Sequence, residues 1–412
     1  MLLIVFFGIS VSLLSTSIKT SYQVFFVSMS DSFQLSRGEF ALSGTLFMAV
    51  FGISSPIVGY IADRLGAKKT IIGGIFISGL FFLLMAVAQH FISFLFIYGI
   101  GAAFAYTAIS FVSLAVLVDE INAPKIKGFL YALVTNGAAL GFVFLAPLWL
   151  YLNQFTSWRT IYIGIGLIFM IPLTLLAIFV MRAVDLSGAE SADTTQSTEP
   201  MPSHFGERLK QVFTNRYFYY LAIAFSGCGI TMAYIDIHFV AQLKDLGLSS
   251  GFIGMSLAIL GVTEFVGGLI AGVLCDRYSK RLVLSGFYLL RAIGVFILLI
   301  QSNQLGVLLF VSIFGISYMG TVIGTSAVSL HIFRKDIRGF AFGFIWLFHQ
   351  IGAAVATQLG ADLYDLEGNY QLMLLITGIF ALVSALLASR IKLRDHPQVE
   401  HAAATCTSVP SE

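Results

Sequence analysis

Gly59 to Lys69 reads GYIADRLGAKK, and Gly272 to Arg281 reads GVLCDRYSKR. Each stretch follows a long apolar run and places an Asp-Arg pair, Asp63-Arg64 or Asp276-Arg277, shortly before basic residues. The two pairs lie 213 residues apart in a chain of 412, close to half its length, which points to an internal duplication. Working outward from them, an apolar stretch of roughly 20 residues is long enough to cross a hydrocarbon layer of about 30 Å as a helix. Twelve such stretches occur, at 3–28, 39–62, 69–89, 92–118, 128–152, 159–181, 217–241, 252–275, 282–301, 305–331, 339–361 and 371–391. The first has neither a basic leader nor a small-residue cleavage site, so it is expected to stay as helix 1.

Six stretches precede and six follow the one long polar segment, 182–216, whose core SGAESADTTQSTEPMPS has the composition of a disordered linker. The expected organisation is an N-terminal six-helix bundle over 1–181, a cytoplasmic linker over 182–216, a C-terminal six-helix bundle over 217–391 and a disordered cytoplasmic tail over 392–412. The fold class expected is therefore an all-α membrane protein of twelve transmembrane helices in two pseudo-symmetric bundles.

Composition agrees. Apolar residues make up 58% of the chain and charged ones 11%, against about 45 to 50% and about 25% in soluble proteins. A formal charge of +2 without a clustered basic face offers no grip on nucleic acid. Cys228, Cys275 and Cys406 show neither paired nor CxxC spacing, so no disulfide and no metal cluster are expected. Neither a GxxxxGK[ST] phosphate loop nor a dinucleotide glycine motif is present, which leaves no basis for ATP drive or a nucleotide cofactor. No nucleophile-base pair stands out, so the chain does not read as an enzyme, and no obligate protein partner is evident. The 39 Phe fill lipid-facing and inter-helix space, and glycines four apart, such as Gly137 and Gly141, allow close helix approach.

Lys and Arg collect on the cytoplasmic side of short loops. The loops after helices 2, 4, 6, 8 and 10 and the C-terminal tail hold 18 of the 23, and the opposite loops hold only Arg37, Arg159 and Lys244. Both termini are expected to face the cytoplasm from a plasma (inner) membrane.

The loop motif resembles that of the major facilitator superfamily, in which Gly, Asp, Arg, a second Gly and two basic residues recur after the second helix of each bundle. The first copy matches at Gly59, Asp63, Arg64, Gly66, Lys68 and Lys69. The second keeps Gly272, Asp276, Arg277, Lys280 and Arg281 but has Ser279 at the second glycine. The resemblance implies that Asp63, Arg64, Asp276 and Arg277 act as cytoplasmic gate residues. Within that superfamily, KTSYQVFFVSMSDSFQLSRGEFALSG from Lys19, SWRTIYIGIG from Ser157, IHFVAQLKDLGLS from Ile237 and DLYDLEGNYQLM from Asp362 are similar to the monocarboxylate transporter family and its oxalate/formate exchanger relatives.

An ionised side chain inside hydrocarbon costs at least about 2.5 to 3.5 kcal/mol, so it faces water or an opposite charge. Lys19 lies just beyond the middle of helix 1. With Ser12, Thr16 and Gln23 it forms a polar stripe at helical spacing, which belongs against a cavity. In the resembled family a lysine in this turn binds the substrate carboxylate or takes part in proton coupling, and that role falls to Lys19. Glu264, near the centre of helix 8, is the expected coupling-proton site, because burial favours the neutral form and a nearby cation the charged one. Eukaryotic members carry an arginine four residues after this acid; here the position is Gly268. Arg291 in helix 9 is the other deep cation, with Asp236 of helix 7 as a possible ion-pair partner. Asp236 and His238 sit about 200° apart on a regular helix. His238, aligned with Thr231, Tyr234 and Gln242, is placed on the pathway face as a second proton-coupling candidate. Gln23, Tyr106, Asn136, Tyr318 and His349 complete the expected substrate-binding set, as hydrogen-bonding or titratable groups on helices 1, 4, 5, 10 and 11.

These residues point to a secondary active transporter of a small organic anion, with proton-coupled monocarboxylate symport by alternating access as the leading reading. Anion exchange of the oxalate/formate kind and efflux of an amphipathic drug or metabolite are the other transport readings. A non-transporting sensor would need a soluble domain that the short linker and tail do not supply.

Overall fold

The computed structural model describes residues 2–119, 130, 133–188, 205–333 and 337–392. Among them there is no strand, and twelve helices are long and apolar enough to cross a membrane. In order, the spans of helices 1 to 12 are Leu3–Ser32, Arg37–Ser55, Ala67–Val87, Phe91–Ala108, Leu133–Leu152, Trp158–Arg182, Arg216–Asp245, Ser250–Arg277, Lys280–Ile300, Gln304–Ile332, Ala341–Glu367 and Gln371–Ser389. Helix 2 runs on to Leu65, helix 11 begins at Arg338, and helix 4 resumes as Phe111–Asp119 after a break at Ile109. Every expected span is met by one of these helices. Helices 1, 7 and 11 reach further than expected, to Ser32, Asp245 and Glu367, and so bring charged residues to one end of the molecule.

Local chemistry sets the boundaries. Ser36 and Glu39 make a reciprocal capping box at the start of helix 2, with Ser36 N–H donating to Glu39 Oε2 at 2.9 Å. Ser157, Asn215, Ser249 and Asn303 cap helices 6, 7, 8 and 10 through side-chain oxygens. The two loop motifs differ for a backbone reason. Gly66 adopts φ +85 between helices 2 and 3, a conformation that favours glycine, whereas Ser279 has φ −59 after an extended Tyr278. The second turn needs no glycine.

Among the described residues four helices carry a π-helical turn, at Ile97–Ala102, Gly141–Leu145, Phe169–Leu173 and Tyr234–His238. Pro172 accounts for the third, since it lacks an N–H. The segment expected to be a linker is not irregular throughout: helix 6 is followed to Gly188, and Phe205–Phe213 forms a further helix that buries Val212 and packs Phe213 edge-on against Phe218 and Phe344. The linker's core and the C-terminal tail lie outside the described residues.

Within the second half, helix 8 packs on helix 10, helix 7 on helices 11 and 12, and helix 9 on helices 10 and 12. The two halves meet through helix 2 on 11, helix 5 on 8 and helix 1 on 7. Small residues permit the middle contact: a Cβ on Gly261 of helix 8 would stand 2.6 Å from the Ala139 carbonyl oxygen and 2.9 Å from Val143 N on helix 5. Between these three contacts lies the site.

Candidate functional site

Helix 1 is interrupted at Thr16, whose N–H bonds back to Leu13 O, and the polar stripe straddles this break. The stripe, with Thr20 beside it, serves contacts between helices. Ser12 Oγ donates to Thr135 O of helix 5 at 3.2 Å, Thr20 accepts from Trp149 Nε1 at 3.1 Å, and Gln23 Nε2 donates to Ile235 O of helix 7. Lys19 stands in the middle and donates from Nζ to Asp236 Oδ2 of helix 7. Asp236 is held on its other oxygen by Tyr318 Oη of helix 10 at 3.2 Å. The pair therefore joins the first bundle to the second at the centre of the molecule.

Around it is a cavity of about 60 Å³. Its polar lining includes Lys19 and Tyr106 from the first bundle and Asp236, Glu264 and Tyr318 from the second. Phe111, Phe142 and Trp346 give it aromatic walls. Glu264 is 3% exposed and its Oε2 has no hydrogen-bond partner among the described residues. A buried polar atom left alone costs about 1 to 3 kcal/mol, more if charged, and Glu264 carries that cost inside the cavity. The volume is far below the about 300 Å³ at which ordinary ligand pockets begin. The bundles are drawn in around these groups.

Five of the expected site residues thus come together: Lys19, Tyr106, Asp236, Glu264 and Tyr318. Others do not line this cavity. Gln23 bonds to a helix 7 carbonyl, Asn136 faces Gly268 of helix 8, and His349 lies between the Phe225 and Trp346 rings with Nε2 3.3 Å from Met232 Sδ. His238 lies 3.1 Å from Thr357 O of helix 11, and its ring packs on Phe26 and Tyr370. Of the two, Asp236 and not His238 lines the cavity. The π-helical turn at Tyr234–His238 is the cause, because it breaks the regular 3.6-residue spacing on which the face was projected.

The possible pair of Arg291 with Asp236 is also corrected. Arg291 is fully buried between helices 7, 9 and 10. It donates to Thr231 Oγ1, Ser317 O and Thr321 Oγ1, each at 2.8 Å, and to Tyr318 O at 3.1 Å, while Phe314 lies 4.9 Å beneath it. A guanidinium has five donors in a fixed fork, and uncharged oxygens together with Cys228 Sγ occupy it here. Asp276 and Arg277 are exposed at the end of helix 8. The side chains of Asp63 and Arg64 lie outside the described residues.

One cluster has no counterpart among the expected site residues. At the end of the molecule remote from the start of helix 1, Arg37 forms a bidentate ion pair with Asp245 of helix 7, at 2.6 and 2.7 Å. It also donates to Tyr370 Oη at 3.0 Å and lies 3.8 Å from the Tyr364 ring centroid. The N–H groups of Arg37 and Gly38 donate to the two oxygens of Asp365, at 3.1 and 2.7 Å, so a carboxylate of one bundle caps a helix of the other. Burial holds the Tyr370 phenol above its ordinary pKa, which keeps it neutral and able to accept from Arg37. Lys244 Nζ adds a bond to Val24 O at 2.8 Å. The only sequence signal was that Arg37 and Lys244 stood among the few cations in these loops.

Charged groups are thus enclosed at the meeting plane of the two bundles, and polar contacts join the bundles at one end. The chain belongs to the Major Facilitator Superfamily, whose family model matches residues 5–243 and 237–407. It is similar to the uncharacterized MFS-type transporter YcxA of Bacillus subtilis, at 26% identity over 90% of each chain. It is also similar to the gentisate transporter of Corynebacterium glutamicum, at 23% over 90% of this chain and 84% of that one. A further relative is the benzoate transport protein of Acinetobacter baylyi, at 24% over 80% and 75%. Among solved structures it resembles a bacterial homolog of the human lysosomal transporter Spinster in an inward-facing, unoccupied conformation. The TM-score is 0.73 at 15% identity, covering 94% of this chain and 95% of that one, a likeness of fold. Family and relatives are transporters, not enzymes.

Proposed function

We propose that this chain is a secondary transporter that carries a small organic monoanion together with a proton, with an aromatic carboxylate as the leading substrate class. The observation that carries the reading is the Lys19–Asp236 pair in an aromatic-walled cavity beside the unpartnered Glu264. Lys19 is the one cation in that lining among the described residues, and it binds the carboxylate in place of Asp236. Phe111, Phe142 and Trp346 supply the flat apolar surface that an aromatic ring needs. Glu264 takes the coupling proton, so the charge of the site is the same in the empty and the loaded carrier. The benzoate and gentisate transporters among its relatives support an aromatic acid. Orientation follows the basic loops, with both termini cytoplasmic and Asp63, Arg64, Asp276 and Arg277 gating that side, opposite the Arg37 clasp.

The test is uptake by proteoliposomes of radiolabelled benzoate, hydroxybenzoates, short aliphatic monocarboxylates and dicarboxylates, with and without an inwardly directed proton gradient. Gradient-driven accumulation of a monocarboxylate is expected. Uptake indifferent to the gradient but dependent on internal anion would replace symport by exchange. Uptake of uncharged amphiphiles alone would remove the carboxylate.

A further inference from the structure

Lys19 has a resident carboxylate, and that carboxylate stands on the opposite bundle. A buried ammonium without a partner resists burial and reorientation. Paired, it is neutralised whenever the site is empty. We propose that Asp236 is the resident counter-ion of Lys19, which the substrate anion displaces and which returns when the anion leaves, so that the empty carrier can change orientation and net transport proceeds without an anion on the return stroke. The inference rests on the carboxylate-binding reading of Lys19 and deepens it.

Three observations carry it. Tyr318 Oη holds the second oxygen of Asp236, so the acid stays aimed at the cavity after Lys19 is released. Asp236 sits in the π-helical turn Tyr234–His238, whose next groups are committed elsewhere: Ile235 O accepts from Gln23 and His238 is bonded to helix 11. Arg291, the other deep cation, is bonded to hydroxyl and carbonyl groups and leaves Asp236 to Lys19. The remaining titratable groups in the lining are Tyr106, Tyr318 and Glu264. Glu264 makes no ion pair with Lys19 among the described residues, so it does not duplicate Asp236.

The experiment compares two rates in proteoliposomes of the full chain: net uptake of labelled benzoate into empty vesicles, and exchange into vesicles loaded with unlabelled benzoate. Wild type is expected to show substantial net uptake. Asp236→Asn leaves Lys19 unpaired in the empty carrier, and the ratio of net uptake to exchange is expected to fall on the order of a hundredfold. Asp236→Glu restores the carboxylate and should recover most of that ratio. A wild type that only exchanges overturns the inference, as does an unchanged ratio in Asp236→Asn. If that variant does not insert, the wild-type ratio and Asp236→Glu decide. Failure to transport any monocarboxylate in either mode instead refutes the carboxylate reading.

Discussion

Replacing Arg37 by alanine probes the clasp that closes one end of the carrier. Arg37 and Asp245 have 12% and 31% of their side chains exposed, so their bidentate pair is discounted for solvent to about 1 kcal/mol. The bond to Tyr370 Oη adds about 1 kcal/mol and the stacking on Tyr364 about 0.5 to 1 kcal/mol. The loss is about 2.5 to 3 kcal/mol, or a shift of about 60- to 140-fold in the ratio of closed to open forms at this end. The N–H groups of residues 37 and 38 would keep Asp365, so the clasp weakens without vanishing. Spin labels at Gln89 and Glu367, exposed positions at this end on the first and second bundles, report the separation by pulsed EPR. Arg37→Ala should enlarge the long-distance population by that factor, and Arg37→Lys should fall between the two. Distance distributions identical in wild type and Arg37→Ala would refute the reasoning, because a contact made only in the closed form cannot be removed without cost to that form.

Glu264→Gln should abolish acceleration of uptake by an inward proton gradient while counterflow continues; unaltered gradient-driven accumulation would show that the proton is carried elsewhere. Lys19→Ala strands a buried Asp236, so thermal stability in detergent should drop by the equivalent of about 3 to 5 kcal/mol and anion uptake should vanish. In the Lys19→Ala/Asp236→Ala double variant stability should largely return but uptake should not, and a variant that regained both would take the carboxylate away from Lys19. Gly261→Ala puts a methyl 2.6 Å from the Ala139 carbonyl oxygen across the junction of helices 5 and 8. It should lower the melting temperature by the equivalent of about 1 to 3 kcal/mol, and an unchanged melting curve would mean that the two bundles are not in contact there.

The fold was legible because lipid leaves the chain few options: every backbone polar group must be satisfied within its own helix, so twelve long apolar runs can only be twelve helices. Lys19 and Glu264 were legible for the related reason that charge is scarce and costly there. Their arrangement was not, for two physical reasons. Face projections assume 3.6 residues per turn, and helix 7 abandons that spacing at Tyr234–His238, where Asp236 and not His238 lines the cavity. Partners across the bundle interface are equally invisible, since Lys19 and Asp236, or Arg37 and Asp245, are brought together only by how the two bundles dock. In the transport cycle proposed above, these are also the contacts the carrier has to break. A core contact is held in place by many neighbours, whereas a contact between bundles must be worth little enough to open in each cycle. That leaves it no local pattern of propensity or periodicity from which it could be read.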